Sequence, residues 1–185
     1  LGAGGMGAVY LGERMDGKFE QKVAIKMLKR EYNTKTIRRT FTRERNIQAA
    51  LKHPNIATLI DAGTTQDGIP FLVMEYVEGE PIDAYCRNAA LTLNKRLKLF
   101  NKACEAVAFA HRNLIVHRDL KPSNIIVSKN GDPKLLDFGI SKLLGDESDD
   151  SSDVTKLGAM TPAYASPEQI EGNQITTATD IYSLG

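Results

Sequence analysis

Cysteine is scarce in this chain: Cys86 and Cys104 are the only two, and they are too far apart in sequence to form a CxxC pair. That scarcity argues against a disulfide-stapled scaffold and against the common zinc frameworks. An excess of one charge is missing too, since 24 lysines and arginines meet 23 aspartates and glutamates for a net charge of +1. Nucleic-acid binding wants a concentrated basic face, so no nucleic-acid partner is expected. No apolar run reaches the roughly 20 residues that cross a bilayer, and no membrane contact is expected from this segment. With so few cysteines and no secretory leader, a reduced, cytoplasmic setting is expected. A hydrophobic content of 42% over 185 residues can bury a core as one domain or as two small lobes.

Leu1 stands directly before a glycine-rich loop, and residues 180–185 read as the opening of an apolar helix. The expectation is a fragment of a longer protein.

The most informative stretch is His117-Arg118-Asp119-Leu120-Lys121-Pro122-Ser123-Asn124, followed by Asp137-Phe138-Gly139. Between them Ile125-Ile126-Val127 and Pro133-Lys134-Leu135-Leu136 flank Asn130-Gly131, a strong signal for a tight hairpin. A fold at 130/131 is expected to set Asn124 opposite Asp137, with Asp119 close by. Hard oxygen donors grouped in this way suit Mg²⁺. That chemistry is phosphoryl transfer.

Upstream, Gly2-Ala3-Gly4-Gly5-Met6-Gly7 runs into Ala8-Val9-Tyr10-Leu11. A dinucleotide-binding loop would be followed by a helix, whereas this one continues as a strand. In residues 22–28 a period of two puts Ala24, Lys26 and Leu28 on one face. Residues 35–51 read as a helix with a stripe of Ile37, Phe41, Glu44, Gln48 and Leu51, and Glu44 needs a cationic partner such as Lys26. Strands are expected at 55–60 and 69–74, around a turn at Gln66-Asp67-Gly68. The spacing predicts a helix over 93–114 that buries Leu93, Leu97, Phe100, Cys104, Val107, His111 and Leu114. Cys104, His111 and His53 are read as packing residues. Residues 146–153 hold five acids and three serines, and are expected to form a mobile loop, either simply solvated or regulated by added phosphates.

Taken together and in this order, the motifs resemble the protein kinase family, in particular bacterial serine/threonine kinases, over essentially the whole chain. The resemblance implies an α+β, two-lobed fold. A small antiparallel sheet with one helix would span 1–74, a hinge 75–79, and an incomplete, mainly helical lobe 80–185. It implies ATP and Mg²⁺ as cofactors, and proteins bearing Ser or Thr as substrates, with autophosphorylation in trans among the reactions. Gly2, Gly4 and Gly7 would close over the phosphates, while Val9, Ala24 and Ile126 would line the adenine. Lys26 would hold the α- and β-phosphates and pair with Glu44. Met74 would be the gatekeeper, with Glu75 to Val77 as the hinge that meets adenine. Asp119 would orient the substrate hydroxyl and accept its proton, Lys121 would steady the transferred phosphate, and Asn124 and Asp137 would hold Mg²⁺.

Lys121 is the serine/threonine form of the catalytic run. Thr161 to Glu168 looks like the substrate-docking loop, with Ser166 where the family usually has Ala and Thr161 as a structural hydroxyl. Arg118 resembles kinases switched by activation-loop phosphorylation, with Thr155, then Ser152 or Ser151, as the expected site. Gln48 departs from the pattern, because the family places an apolar residue there. The rivals are a non-catalytic scaffold, disfavoured by the complete set of site residues, and a small-molecule phosphotransferase, disfavoured by the docking loop.

Overall fold

A computed structural model describes residues 1–3, 7–13, 15, 20–28, 42, 45–138 and 162–185. Gly4, Glu44, Gly139, the acidic serine-rich stretch, Thr155 and Thr161 lie outside the described residues, as do Ile37 and Phe41 of the predicted helical stripe.

The described residues fall into two compact units. The first comprises residues 1–50 and 58–76, and the second 51–57, 77–138 and 162–185.

Among the described residues, five antiparallel strands build the first unit: β1 (Gly2–Ala3), β2 (Gly7–Glu13), β3 (Lys22–Leu28), β4 (Leu59–Thr64) and β5 (Pro70–Glu75). Their spatial order is β1-β2-β3-β5-β4. Branched and apolar residues fill β3 and β5, as a half-buried pleated surface favours, and Leu28, Ile69, Leu72 and Met74 are buried. Residues 45–50 are helical, and Gln48 within them and Leu51 just beyond are buried.

The strand expected at 55–60 lies later in the chain, at Leu59–Thr64. Residues 55–57 instead belong to the second unit, with Leu135 N donating to Asn55 O, Ala57 N to Leu135 O, and Asn55 Nδ2 to Pro133 O. The hydrogen-bonding capacity of 55–57 is spent on the edge of another strand.

In the second unit β6 (Gly79–Pro81), β7 (Ile125–Ser128) and β8 (Pro133–Leu135) form a small antiparallel sheet. At Gly79 an added Cβ would collide with the Val127 carbonyl, so only glycine permits this pairing. The helices described in this unit are α1 (Ile82–Asn88), α2 (Leu93–Arg112), α3 (Pro167–Glu171) and α4 (Thr177–Leu184).

The buried face of α2 differs from the expected one. Leu99, Ala103, Ala106, Val107 and Ala110 are buried, whereas Leu93, Leu97 and Phe100 are exposed, as is Leu114 past the helix end. Alanines at 103, 106 and 110 let the helix approach its neighbours closely beside Leu99, and of the expected stripe Val107 is buried as predicted. The helix ends at Arg112 in a Schellman arrangement: Ile115 N donates to Ala110 O and Leu114 N to His111 O, with Leu114 in the left-handed region at φ +59°.

Candidate active site

Within the first unit the strand register lines up the residues singled out from the sequence. Gly2 lies opposite Val9, Val9 opposite Lys26, and Lys26 opposite Leu72. The next row on the same face runs Leu11, Ala24, Met74 and Leu59. Directly opposed residues project to the same side of an antiparallel sheet. Val9, Ala24, Lys26 and Met74 therefore share one face, with Gly7 at its edge opposite Leu28. Glu75 closes β5, its N–H donating to Thr58 O and its carboxylate accepting from Thr58 N.

Within the second unit the chain makes a tight cluster around Asp119. A 3₁₀ turn at Pro122–Asn124 is closed by Asn124 N donating to Lys121 O. It brings the Asn124 amide back to Asp119, where Nδ2 donates to the main-chain carbonyl at 2.8 Å and to Oδ2 at 3.0 Å. Lys121 Nζ reaches the same Oδ2 at 3.1 Å. With Nδ2 engaged, the acceptor Oδ1 is the Asn124 atom suited to a cation.

The hairpin is shifted by one residue from the expected register. Ile125 pairs with Leu135 and Ile126 with Lys134, which places Asn124 opposite Leu136, whose N–H donates to Asn124 O. Asp137 is therefore the next residue beyond the pair, not its member. The cause is the turn: Gly131 adopts φ +81° and donates to Ser128 O, giving a three-residue loop where Asn-Gly had suggested two. Asp137 has a left-handed φ of +38°, which redirects the chain at the strand end. In β7, Ile125 and Val127 are buried, and Ile126 between them points to the other face and is half-buried.

His117 underlies Asp119. Its Nε2 contacts Leu136 O at 2.9 Å, and its Nδ1 accepts from Asp119 N at 3.3 Å. A carbonyl only accepts and an amide N–H only donates, so both bonds are satisfied by the neutral Nε2–H imidazole. Burial holds His117 below the ordinary imidazole value, against the opposing pull of Asp180 and, more weakly, of Asp119 and Asp137. The Phe138 ring lies 4.8 Å from it, centroid to centroid.

Two residues that sequence reasoning missed hold this cluster from outside. Asp180, fully buried in α4, accepts from His117 N at 2.7 Å and from Arg118 N at 2.8 Å. Gln169 donates from Nε2 to Arg118 O at 2.8 Å. Both neighbours grip Arg118, which sits in the left-handed region at φ +69°. The Ser166-x-x-Gln169 spacing is a capping-box signature that could have marked the start of α3. Ser166 caps that helix and is fully buried, which gives the departure from the usual Ala a structural reason. Thr179 Oγ1 donates to Glu168 at 2.6 Å, and this bond pulls the Glu168 carboxyl below its ordinary range.

The whole chain, residues 1–185, matches the protein kinase domain. The chain belongs to the protein kinase family. Among its kinase relatives is the serine/threonine-protein kinase pkn2 of Myxococcus xanthus, 39% identical over 191 residues, with all of this chain and 22% of the relative covered. PrkC of Bacillus subtilis is 40% identical over 189 residues, covering all of this chain and 28% of PrkC. Among solved structures, a mutant of the Mycobacterium tuberculosis PknI kinase domain matches with a TM-score of 0.71 and 29% identity, over 100% of this chain and 67% of that one. The kinase chain thus spans less than a third of the length of these curated relatives. Protein kinases in general use ATP and Mg²⁺.

The donor set fits such a metal. Asn124 and Asp137 offer hard oxygens, and Mg²⁺ is commonly held by one or two protein carboxylates together with substrate phosphates. Among the described residues no cluster of three His, Cys, Asp or Glu could form an all-protein cage. Nor is any described helix long and apolar enough to cross a membrane.

Proposed function

We propose that this chain carries the catalytic centre of a serine/threonine protein kinase, which transfers the γ-phosphoryl group of ATP to protein hydroxyls. The observation that supports it most is the convergence of Lys121 and Asn124 on the Asp119 carboxylate. That carboxylate is held in place before any substrate arrives, as positioning catalysis requires.

In this reading Asp119 orients the acceptor hydroxyl and receives its proton as the new O–P bond forms. An aspartate near its ordinary pKa is a weak base at neutral pH, so orientation is its larger contribution. Lys121 carries its positive charge to the phosphoryl oxygens, where negative charge spreads in a loose transition state. Asn124 Oδ1 and the Asp137 carboxylate would hold Mg²⁺, which when bound supplies neutralisation of phosphate charge. In the first unit, Lys26 would take the α- and β-phosphates and pair with Glu44. Gly2, Gly4 and Gly7 would supply backbone amides, and Val9, Ala24, Met74, Glu75, Val77 and Ile126 would contact the adenine.

Regulation by phosphorylation belongs to the same reading, with Thr155, then Ser152 or Ser151, as the site. Arg118 immediately before Asp119 supports it, since a guanidinium grips phosphate bidentately. Phosphosite mapping that finds modification only outside residues 141–160 rejects this part.

The function itself is tested by incubating the protein with γ-labelled ATP, Mg²⁺ and a generic basic protein. Label on phosphoserine and phosphothreonine, abolished by Lys26→Met, supports it. Label on tyrosine alone rejects the serine/threonine assignment, and no label supports a non-catalytic scaffold.

A further inference from the structure

We infer that Gln169 is a positioning residue for Asp119, and that it ties the segment read as the substrate-docking loop to the catalytic loop. This rests on the kinase reading above and deepens it. The residue lies outside the motifs that carry that reading, and its contacts lie wholly within the second unit.

One side-chain amide makes two different bonds. Oε1 accepts from Ser166 N at 3.1 Å, while Ser166 Oγ accepts from Gln169 N at 3.4 Å, the reciprocal pattern of a capping box. Nε2 donates to Arg118 O at 2.8 Å, across 51 residues of sequence. An N–H only donates and a carbonyl only accepts, so these partners fix which end of the amide is which. Gln169 is 6% exposed and Ser166 is fully buried, so solvent competes weakly for either bond. Capping alone needs only the acceptor, and a glutamate serves that role equally well. The second bond is what requires glutamine.

Arg118 O belongs to the peptide unit that leads into Asp119. A peptide is planar, so its C=O and N–H turn together. Gln169 holds the C=O, and the N–H on the other side donates to His117 Nδ1 at 3.3 Å. The unit is pinned at both ends, and the direction in which the Asp119 side chain leaves the backbone is pinned with it. Arg118 needs such a restraint, because at φ +69° a residue persists only where its surroundings over-determine it. The other end of the link is tied as firmly. Glu168 accepts from Thr179 Oγ1 at 2.6 Å, and Ser183 Oγ donates to Tyr164 O at 2.9 Å, so residues 164–169 are moored to α4. A polypeptide seated on that segment would bear, through one amide, on the residue that orients its hydroxyl.

The test compares Gln169→Glu, which keeps the capping acceptor but loses the donor, with Gln169→Met, which loses both at similar length. At about pH 8 both variants should lower kcat about tenfold with KM for ATP unchanged, the loss expected when a buried carbonyl is left without its donor. Hydrogen exchange at the Asp119 amide should accelerate in both. Burial beside a carbonyl raises the pKa of a carboxyl, so Gln169→Glu should regain a donor by protonation and recover toward the wild-type rate at about pH 6. Gln169→Met should not recover. Titration of His117, Asp119, Glu168 and Asp180 is common to all three proteins and cancels in the ratio to wild type. Wild-type kcat and exchange in Gln169→Met overturn the inference. A Gln169→Glu variant that matches wild type at every pH also overturns it, because capping alone would then explain the residue. Equal impairment of both variants at every pH does the same, since packing would then suffice. If the wild-type protein transfers no phosphate, the kinase reading fails, and exchange at the Asp119 amide still decides the role of Gln169.

Discussion

Asn124 holds Asp119 by both of its oxygen types at once, donating to the main-chain carbonyl at 2.8 Å and to the carboxylate at 3.0 Å. One amide therefore fixes both the backbone and the side chain of the proposed base, and its own oxygen is the acceptor proposed for a cation. The pair explains why a 3₁₀ turn, not a full helix, separates the two residues: Asn124 must fold back over five positions.

Replacing Asn124 by Ala removes both donors and one proposed metal ligand. Steady-state kinetics should show kcat lowered between about tenfold and a hundredfold, the range for lost hydrogen bonds to a charged group. The Mg²⁺ concentration for half-maximal rate should rise. A variant with an unchanged Mg²⁺ requirement contradicts the ligand role.

His117 makes stability depend on pH. Burial lowers its folded value, so as pH falls the unfolded chain takes up the proton first. The contribution is complete above about pH 6.5, the ordinary imidazole value, and is lost as pH falls toward the lower folded value. Melting midpoints measured from about pH 8 to 5 should decline below that ordinary value. His117→Phe, which cannot titrate, should show a shallower decline.

Leu114 follows α2 in a left-handed conformation, at φ +59° and 93% exposed. Its side chain is in solvent and its backbone carries a steric cost of about 1–2 kcal/mol. Leu114→Gly relieves that cost but adds freedom to the unfolded chain, so a net gain of about 0.5–1 kcal/mol is expected in urea denaturation.

Gln48 is 7% exposed, and its Oε1 has no hydrogen-bond partner among the described residues. Such an orphaned acceptor costs about 1–3 kcal/mol. Gln48→Leu should raise the unfolding free energy by an amount in that range. A lower midpoint would mean that the amide is satisfied in solution.

The motifs were legible because each is short and its residue types follow from phosphate and metal chemistry. Val9, Ala24, Lys26 and Met74 share a sheet face because the alternation of strands is itself local. What escaped the sequence depends on distant or conformational choices. Asp180 meets its partners across 62 to 69 residues, so no local pattern announces it. The hairpin register turned on whether the loop held two residues, Asn130 and Gly131, or three, with Lys129 added. In α2 two stripes competed, and packing distance favoured alanines over the bulkier Leu93, Leu97 and Phe100. The strain at Arg118 has no signature in residue type, since arginine is an ordinary resident of the right-handed region.

Phosphoryl transfer by Asp119→Asn is the most direct measurement, made beside the wild-type protein with labelled ATP, Mg²⁺ and a basic protein acceptor. Asparagine keeps the size and hydrogen-bonding reach of the side chain but removes the charge and the proton acceptor. The account predicts transfer reduced at least about a hundredfold, with nucleotide binding retained. Transfer at the wild-type rate in Asp119→Asn would contradict it.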